Sequence, residues 1–231
     1  MHNTAVVITT YNEADTIESL VSSLIAEGYP VIVSDGGSND GTLDIALAAG
    51  ADVMKSDGRL PIAEALMIGF CYALDCGYTR IAVMDAGGSH HVGDLPVLLS
   101  TEADVVIGSR FVKGASYHGR FWRALMSRFA ALLCNFAQPG ANFKDWTSGY
   151  RVYSKTAVDV ILNNDYQTDM HTWQIETLAR LSEAGLSIKE VPITYTAGRS
   201  SFNFRTVSDA LTVWLHLMHH IGWRGSRMVT E

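Results

Sequence analysis

The sequence predicts an α/β fold: a mostly parallel central sheet flanked by helices. Three observations carry that prediction. Short, continuous apolar runs recur along the first half; helix-length amphipathic stretches separate them; and polar, glycine-bearing turns follow the runs. A continuous apolar run suits a strand buried on both faces, and strands alternating with helices build a parallel sheet.

Taken in order, residues 5–9 (AVVIT) read as a buried strand. Residues 15–27 read as a helix with apolar positions at Ile17, Leu20, Val21, Leu24 and Ile25. Strands follow at 31–34, 52–55, 80–84 and 104–108, with helices at 42–49, 62–76 and 92–100 between them. This alternation is of the Rossmann-like kind, in which ligands sit beyond the carboxyl ends of the strands. From about residue 119 the pattern changes. Residues 120–137 form one long helix, followed by a polar turn at 144–149, a strand at 150–153, helices at 156–162 and 172–184, and a strand at 187–195. A last helix at 206–221 carries His216, His219 and His220 and leads into a basic tail with Arg224 and Arg227. No repeat, low-complexity segment or linker interrupts the chain. The expectation is one domain over residues 1–231, with a nucleotide-binding half near 4–118, an acceptor half near 119–215 and the tail at 216–231.

Bulk properties exclude some functions. A formal net charge of −7 argues against a general nucleic-acid binder, because phosphate contacts need a basic surface. No charged leader and cleavage site opens the chain, and no apolar run approaches the roughly 18 residues of a membrane span. Cys71, Cys76 and Cys134 are odd in number and lack metal-like spacing, so they read as reduced core thiols of a cytoplasmic protein.

The polar residues after the strands carry the chemistry. Asp35-Gly-Gly-Ser-Asn-Asp-Gly-Thr42 follows the second strand. Asp35 there can accept from a nucleobase N–H while Gly36 lets backbone approach a flat ring. A plain strand-to-helix turn capped by Asp40 or Thr42 explains the same residues. Asp85 follows the fourth strand, where a carboxylate can meet a divalent cation on donor phosphates. Arg110 follows the fifth strand and is placed to grip a phosphate. Arg123 and Ser127 lie four apart on the long helix, so they share a face that could hold a second anion; a solvated surface arginine is the competing reading. Phe121, Trp122, Leu125, Phe129, Leu132, Leu133 and Phe136 crowd that helix, which suits either an interfacial membrane helix or core packing. Arg199 and Arg205 flank a cationic loop able to close over a pyrophosphate.

Seven stretches in register resemble one family. They are Thr10-Tyr-Asn-Glu13, the Asp35–Thr42 motif, Asp85-Ala-x-x-Ser-His, Gly108-Ser-Arg-Phe111, Leu125-Met-Ser-Arg128, Thr147-Ser-Gly-Tyr-Arg151 and Glu190-Val-Pro-Ile193. Together they span roughly residues 4–215. The chain resembles the inverting family-two glycosyltransferases of the glycosyltransferase A fold, and most of all the dolichyl-phosphate and polyprenyl-phosphate mannosyltransferases. The resemblance implies an enzyme that moves a hexose, mannose from GDP-mannose as the first expectation, onto a polyprenyl phosphate with inversion. It implies a nucleotide site with Thr10, Tyr11, Glu13, Asp35, Gly36 and Asp85. Arg110, Arg123 and Ser127 match positions that contact phosphate, including the acceptor's, and Arg151, Arg199 and Arg205 join them as phosphate-binding candidates. Asp85 would hold Mg²⁺ or Mn²⁺.

The chain also departs from the pattern. The family's metal motif is usually Asp-x-Asp, and Gly87 stands where the second Asp is expected. Asp85 with donor phosphates and water can complete a magnesium shell; His90 or His91 as a substitute ligand is the alternative. Pro61 and Ala63 occupy places usually held by glycines, and Ser201 a place often held by Lys, with Arg199 or Arg205 able to supply the charge. Two other readings stay open: a soluble family-two enzyme acting on a hydroxyl acceptor, with Asp145 as its base, and a non-catalytic nucleotide-binding relative. Membrane attachment is expected to be peripheral, through the 121–136 stripe and the basic tail.

Overall fold

The structure, a computed structural model, describes residues 3–138, 140–164, 166 and 171–197. The expected helix at 206–221, the tail arginines and the loop with Arg199 and Arg205 lie outside the described residues. The elements in chain order are β1 (Thr4–Thr10), α1 (Ala14–Ala26), β2 (Val31–Asp35), α2 (Thr42–Ala48), β3 (Asp52–Met54), α3 (Ile62–Asp75), β4 (Arg80–Asp85), α4 (Leu95–Ser100) and β5 (Val105–Ser109). They continue with β6 (Ser116–His118), α5 (Phe121–Ala137), β7 (Arg151–Ser154), α6 (Lys155–Leu162), α7 (His171–Glu183), β8 (Ile188–Pro192) and β9 (Thr194–Thr196).

The main sheet runs β3-β2-β1-β4-β7-β5-β8. Its pairs are parallel except where β7 inserts antiparallel between β4 and β5. Alternation along β1 explains the two cores, because successive side chains leave opposite faces of a strand. Val6 and Ile8 pack with Ile17, Leu20, Val21 and Leu24 of α1 and Leu95 and Leu98 of α4. Ala5 and Val7 pack on the other face with Leu66 and Phe70 of α3, Val158 and Ile161 of α6, and Trp173 and Leu178 of α7. Helix α3 lies unusually close to the sheet: a Cβ on Gly69 would stand 2.6 Å from a Val7 methyl carbon. Helices α1 and α3 stop where Gly28 and Gly77 take φ of 83° and 86°, a left-handed conformation that ends a helix cheaply only at glycine.

The direction of β7 matters for function. An antiparallel strand begins at the edge where its parallel neighbours end. Arg151 pairs with Val83 and Ile107, so the segment 145–150 arrives beside the carboxyl ends of β4 and β5. The expected single strand at 187–195 is two strands. Pro192 has no N–H to continue a ladder, Ile193 turns inward, and β9 pairs with β6 in a separate two-stranded sheet. Strand β6 has no counterpart among the elements expected from the sequence.

Helix α5 resolves the choice left open between core and interface. Only Ala131, Cys134 and Ala137 are buried, all in its second half. Phe121, Trp122, Leu125, Phe129, Leu132 and Phe136 stand exposed, Phe136 by 76%. The cysteine expectation holds for one residue of three: Cys134 is buried, its thiol pushed up to about 12 by that burial, but Cys71 and Cys76 are exposed. Cys71 sits on the solvent side of α3, whose other face meets the sheet, and Cys76 follows the end of that helix.

Candidate active site

A cavity of about 350 Å³ opens at the carboxyl edge of the sheet. Its walls come from the ends of β1 (Thr10, Tyr11, Glu13), β2 (Gly36) and β4 (Asp85, Gly87, Ser89). The loop after β3 adds Arg59, and the segment entering β7 adds Thr147 and Gly149. Gln174 and Tyr195 complete it.

The loops after β1 and β2 are tied together by short polar side chains. Asp35 is buried and accepts four hydrogen bonds, from the Thr10 and Ser38 hydroxyls and the Gly37 and Ser38 amides. A carboxylate offers about four lone-pair sites, so none is left for a base. This corrects the expectation from sequence: Asp35 builds the loop beneath the cavity, while Gly36 lines it. Asp40 has a similar structural role further along the same loop, accepting from Ala14 N and from Thr42 N and hydroxyl, and the Thr42 hydroxyl accepts from Glu13 N. Hydrogen bonding from Thr42 holds the Asp40 carboxyl below its usual range. Glu13 behaves oppositely. Burial, and then the nearby carboxylates of Asp40, Asp85 and Asp15, push its carboxyl up, against the Thr16 hydrogen bond.

The arginines expected to grip phosphate differ from expectation. Arg110 is nearly buried. Its Nε and Nη2 donate to Asp145 at 2.7 and 2.6 Å, and Nη2 also to the Thr147 hydroxyl at 2.6 Å. Burial opposes the charge on Arg110, but Asp145 more than offsets it and the guanidinium stays firmly cationic. Burial likewise opposes the Asp145 carboxylate, and Arg110 overcomes it, so that carboxyl sits below its usual range. Arg110 therefore does not line the cavity; Thr147, which it holds, does. Arg151 is corrected outright. Its side chain is wholly buried and donates to the carbonyls of Gln174 and Trp146, so it clamps the segment behind the cavity and reaches no phosphate. A side chain on a strand in the middle of a sheet, covered by helices, has no route to solvent. Arg123 and Ser127 are half-buried on α5, as their spacing predicts, but lie outside the cavity wall. Tyr117, whose phenol feels both Arg110 and Arg123, stacks at 5.6 Å on the cavity residue Tyr195 and links the two regions.

Comparison with known proteins agrees with this geometry. The family model described as glycosyl transferase family 2 matches residues 5–162. The chain belongs to that family. It is thus a glycosyltransferase by family. The polyprenol monophosphomannose synthase of Mycolicibacterium smegmatis is 33% identical over 205 residues, 84% of this chain and 77% of that protein. The undecaprenyl-phosphate mannosyltransferase of Micrococcus luteus is 33% identical over 220 residues, 89% of each. Among solved structures, a glucosyl-3-phosphoglycerate synthase from Mycobacterium tuberculosis with Mn²⁺, UDP and phosphoglyceric acid superposes with a TM-score of 0.69 at 21% identity, covering 93% of this chain and 78% of that one. That likeness establishes the glycosyltransferase A fold.

Gly87, where a second Asp was expected from the sequence, has an acidic neighbour. A Cβ on Gly87 would lie 3.6 Å from a Glu13 carboxylate oxygen, so Glu13 borders the space a second Asp would fill. Among the described residues no group of three or more His, Cys, Asp or Glu could hold an ion alone. The donors present, Asp85, Glu13 and Ser89, are all oxygens. They fit a hard cation whose shell is completed by donor phosphates and water. His90 is no substitute ligand: its ring is buried, and both nitrogens face Asp85. His91 is exposed and meets the Thr196 hydroxyl instead.

The cavity residues not singled out from the sequence include Arg59, Gln174 and Tyr195. Arg59 lies flat over Tyr11, its guanidinium carbon 3.2 Å from the ring centroid, and is the one cation lining the cavity among the described residues. A cation in a strand-to-helix loop at the ligand edge was the available signal. Gln174 has a buried side-chain oxygen without a partner, and Tyr195 arrives only through the turn after Pro192. No local pattern announces either.

Proposed function

We propose that the enzyme transfers a hexose from a nucleoside diphosphate sugar to a polyprenyl phosphate with inversion, mannose from GDP-mannose being the first candidate. The observation that carries the acceptor class is the sealed Asp145. A hydroxyl acceptor needs a general base, and the carboxylate suited to that task on the acceptor side is fully buried in a bidentate pair. A phosphate monoester is already anionic near neutral pH and needs none. The two mannosyltransferase relatives, both 33% identical, support the same acceptor.

In this reading a phosphate oxygen attacks the anomeric carbon from the face opposite the departing nucleoside diphosphate. One C–O bond forms, the bond to the diphosphate oxygen breaks, and the electron pair leaves on the diphosphate. Tyr11, Gly36 and Glu13 orient the nucleoside, Arg59 meets the growing negative charge, and Thr147 and Gly149 bound the sugar side. Asp85, with Glu13 beside it, would hold a divalent cation. When bound, that ion neutralises diphosphate charge. Arg123 and Ser127 on α5 remain the proposed contacts for the acceptor phosphate, with Arg110 supporting them through Thr147 and Asp145.

The exposed apolar face of α5 beside Arg120, Arg123 and Arg128 supports peripheral attachment to a membrane surface, which is where such an acceptor resides. No helix among the described residues is long and apolar enough to cross a bilayer. A donor screen with undecaprenyl phosphate, in Mg²⁺, Mn²⁺ and EDTA, tests the proposal. Labelled sugar passing into the organic phase, and losing that transfer in EDTA, is the expected result. Transfer to a water-soluble saccharide with none to the lipid would overturn it.

A further inference from the structure

Asp85 ends β4 with its side chain about half exposed, 51%, on the cavity wall. A carboxylate at the end of a strand can rotate freely unless something fixes it, and a misplacement of about 1 Å in a site can cost about 100-fold in rate. His90 is the side chain that touches it from inside. Its Nδ1 accepts the Asp85 backbone N–H at 3.1 Å, closing the 85–90 loop. That bond assigns the ring proton to Nε2, because a neutral imidazole that accepts at one nitrogen carries its hydrogen on the other. Nε2 stands 3.5 Å from Asp85 Oδ2.

The ring itself has little freedom. It stacks on Tyr150 at 4.7 Å and 20°, with Tyr195 tilted against it at 6.1 Å. Tyr150 is anchored through its hydroxyl to the His91 carbonyl, and His90 forms a backbone bridge with Tyr195. The opposite side of the carboxylate is bounded by Gly149, where a Cβ would come within 3.1 Å of Asp85 Oδ1. The Asp85 carboxylate thus lies between the histidine Nε2 and a bare glycine.

We propose that His90 is a positioning residue for Asp85, directing the Asp85 carboxylate toward the donor diphosphate through its Nε2–H while its Nδ1 fixes the loop. The inference rests on the proposed role of Asp85 at the donor. It adds a residue that touches neither substrate nor cation.

Two substitutions separate positioning from packing. His90→Asn keeps an acceptor at the Nδ1 place and loses the Nε2 donor. His90→Gln keeps a donor near the Nε2 place. In the full chain, both should fold. His90→Asn should lower kcat about 10- to 100-fold, leaving the KM for polyprenyl phosphate unchanged, and His90→Gln should recover most of that loss. Wild-type kcat in His90→Asn, or a Gln variant no better than Asn, would overturn the proposal. Independently of activity, long-range ¹H–¹⁵N correlation on the wild-type protein should place the proton of the buried histidine on Nε2. A proton on Nδ1 would also overturn it. An inactive wild type would reject the transfer reading instead, and the proton position would still decide the role of His90.

Discussion

At the scale of single residues, the site is organised by carboxylates that fall into two groups. Asp35, Asp40 and Asp145 spend their acceptor capacity on the protein, while Asp85 and Glu13 line the cavity, Glu13 giving only part of its capacity to the Thr16 hydroxyl. Sequence spacing located all five at strand ends or turns. It could not separate the groups, because the partners of Asp145 include Arg110, 35 residues away in sequence, and Arg110 in turn reaches Thr147 across 37. The same ambiguity hid Arg151, which has the composition of an anion binder and the surroundings of a core residue. Removing one partner of a buried ion pair leaves an uncompensated charge at a cost of about 3–5 kcal/mol. Asp145→Asn should therefore lower the thermal midpoint sharply; differential scanning calorimetry checks it. Arg59→Ala removes a cation–π contact and the cavity's cation. Its donor KM should rise about 10-fold, since about 1.4 kcal/mol corresponds to a factor of ten. Arg59→Lys should fall between, because an ammonium keeps the charge but not the flat stack on Tyr11. Steady-state kinetics with varied donor distinguishes these outcomes.

At the scale of elements, β7 and α5 have the clearest consequences for function. Apolar runs and helical periodicity specified β1, β2, β4, β5 and α1 to α3 almost to the residue, because each is a local pattern with one buried stripe or two. The insertion of β7 between β4 and β5 is a pairing choice between segments about 70 and 45 residues apart, and no local pattern encodes it. Yet that choice brings Gly149 and Thr147 to Asp85. Helix α5 shows the complementary case. Its apolar residues were plain in sequence, but only the packing of Ala131, Cys134 and Ala137 against the core beneath α3, α6 and α7 reveals which of them remain uncovered. A face of this kind partitions into an interface at about 0.8 kcal/mol per buried CH₂. The double substitution Phe129→Glu with Leu132→Glu should abolish co-sedimentation with anionic vesicles. Because both side chains are exposed, the effect of each on stability should stay within about 0.5 kcal/mol.

At the scale of the whole molecule, acid should destabilise the fold in a defined window. The carboxyls of Asp145 and Asp104 both lie below their usual range in the folded protein, Asp145 because the paired Arg110 overcomes its burial, Asp104 because Ser187 hydrogen-bonds it. The unfolded chain then binds more protons than the native one below the ordinary aspartate value of about 3.9. Their stabilisation is complete above that value and is lost as pH falls through the folded pKa values. Urea titrations between pH 3 and 6 should show stability falling mainly below about pH 4, and Asp104→Asn should flatten some of that fall. The broader architecture was legible because a parallel sheet advertises itself in uninterrupted apolar strands, and the crevice position follows from the sheet. The chemistry within the crevice was legible only as residue types; their pairing was not. All of it converges on a cavity walled by the ends of β1, β2 and β4 and by the segment entering β7, beside which the Asp145 carboxylate is sealed in an ion pair. The measurement that tests this most directly is the anomeric configuration of the product formed from GDP-mannose and undecaprenyl phosphate, read by NMR of the purified lipid. A mannosyl phosphate lipid with configuration inverted relative to the donor is the predicted result, and a retained configuration, or mannose found only on a hydroxyl, would contradict the account.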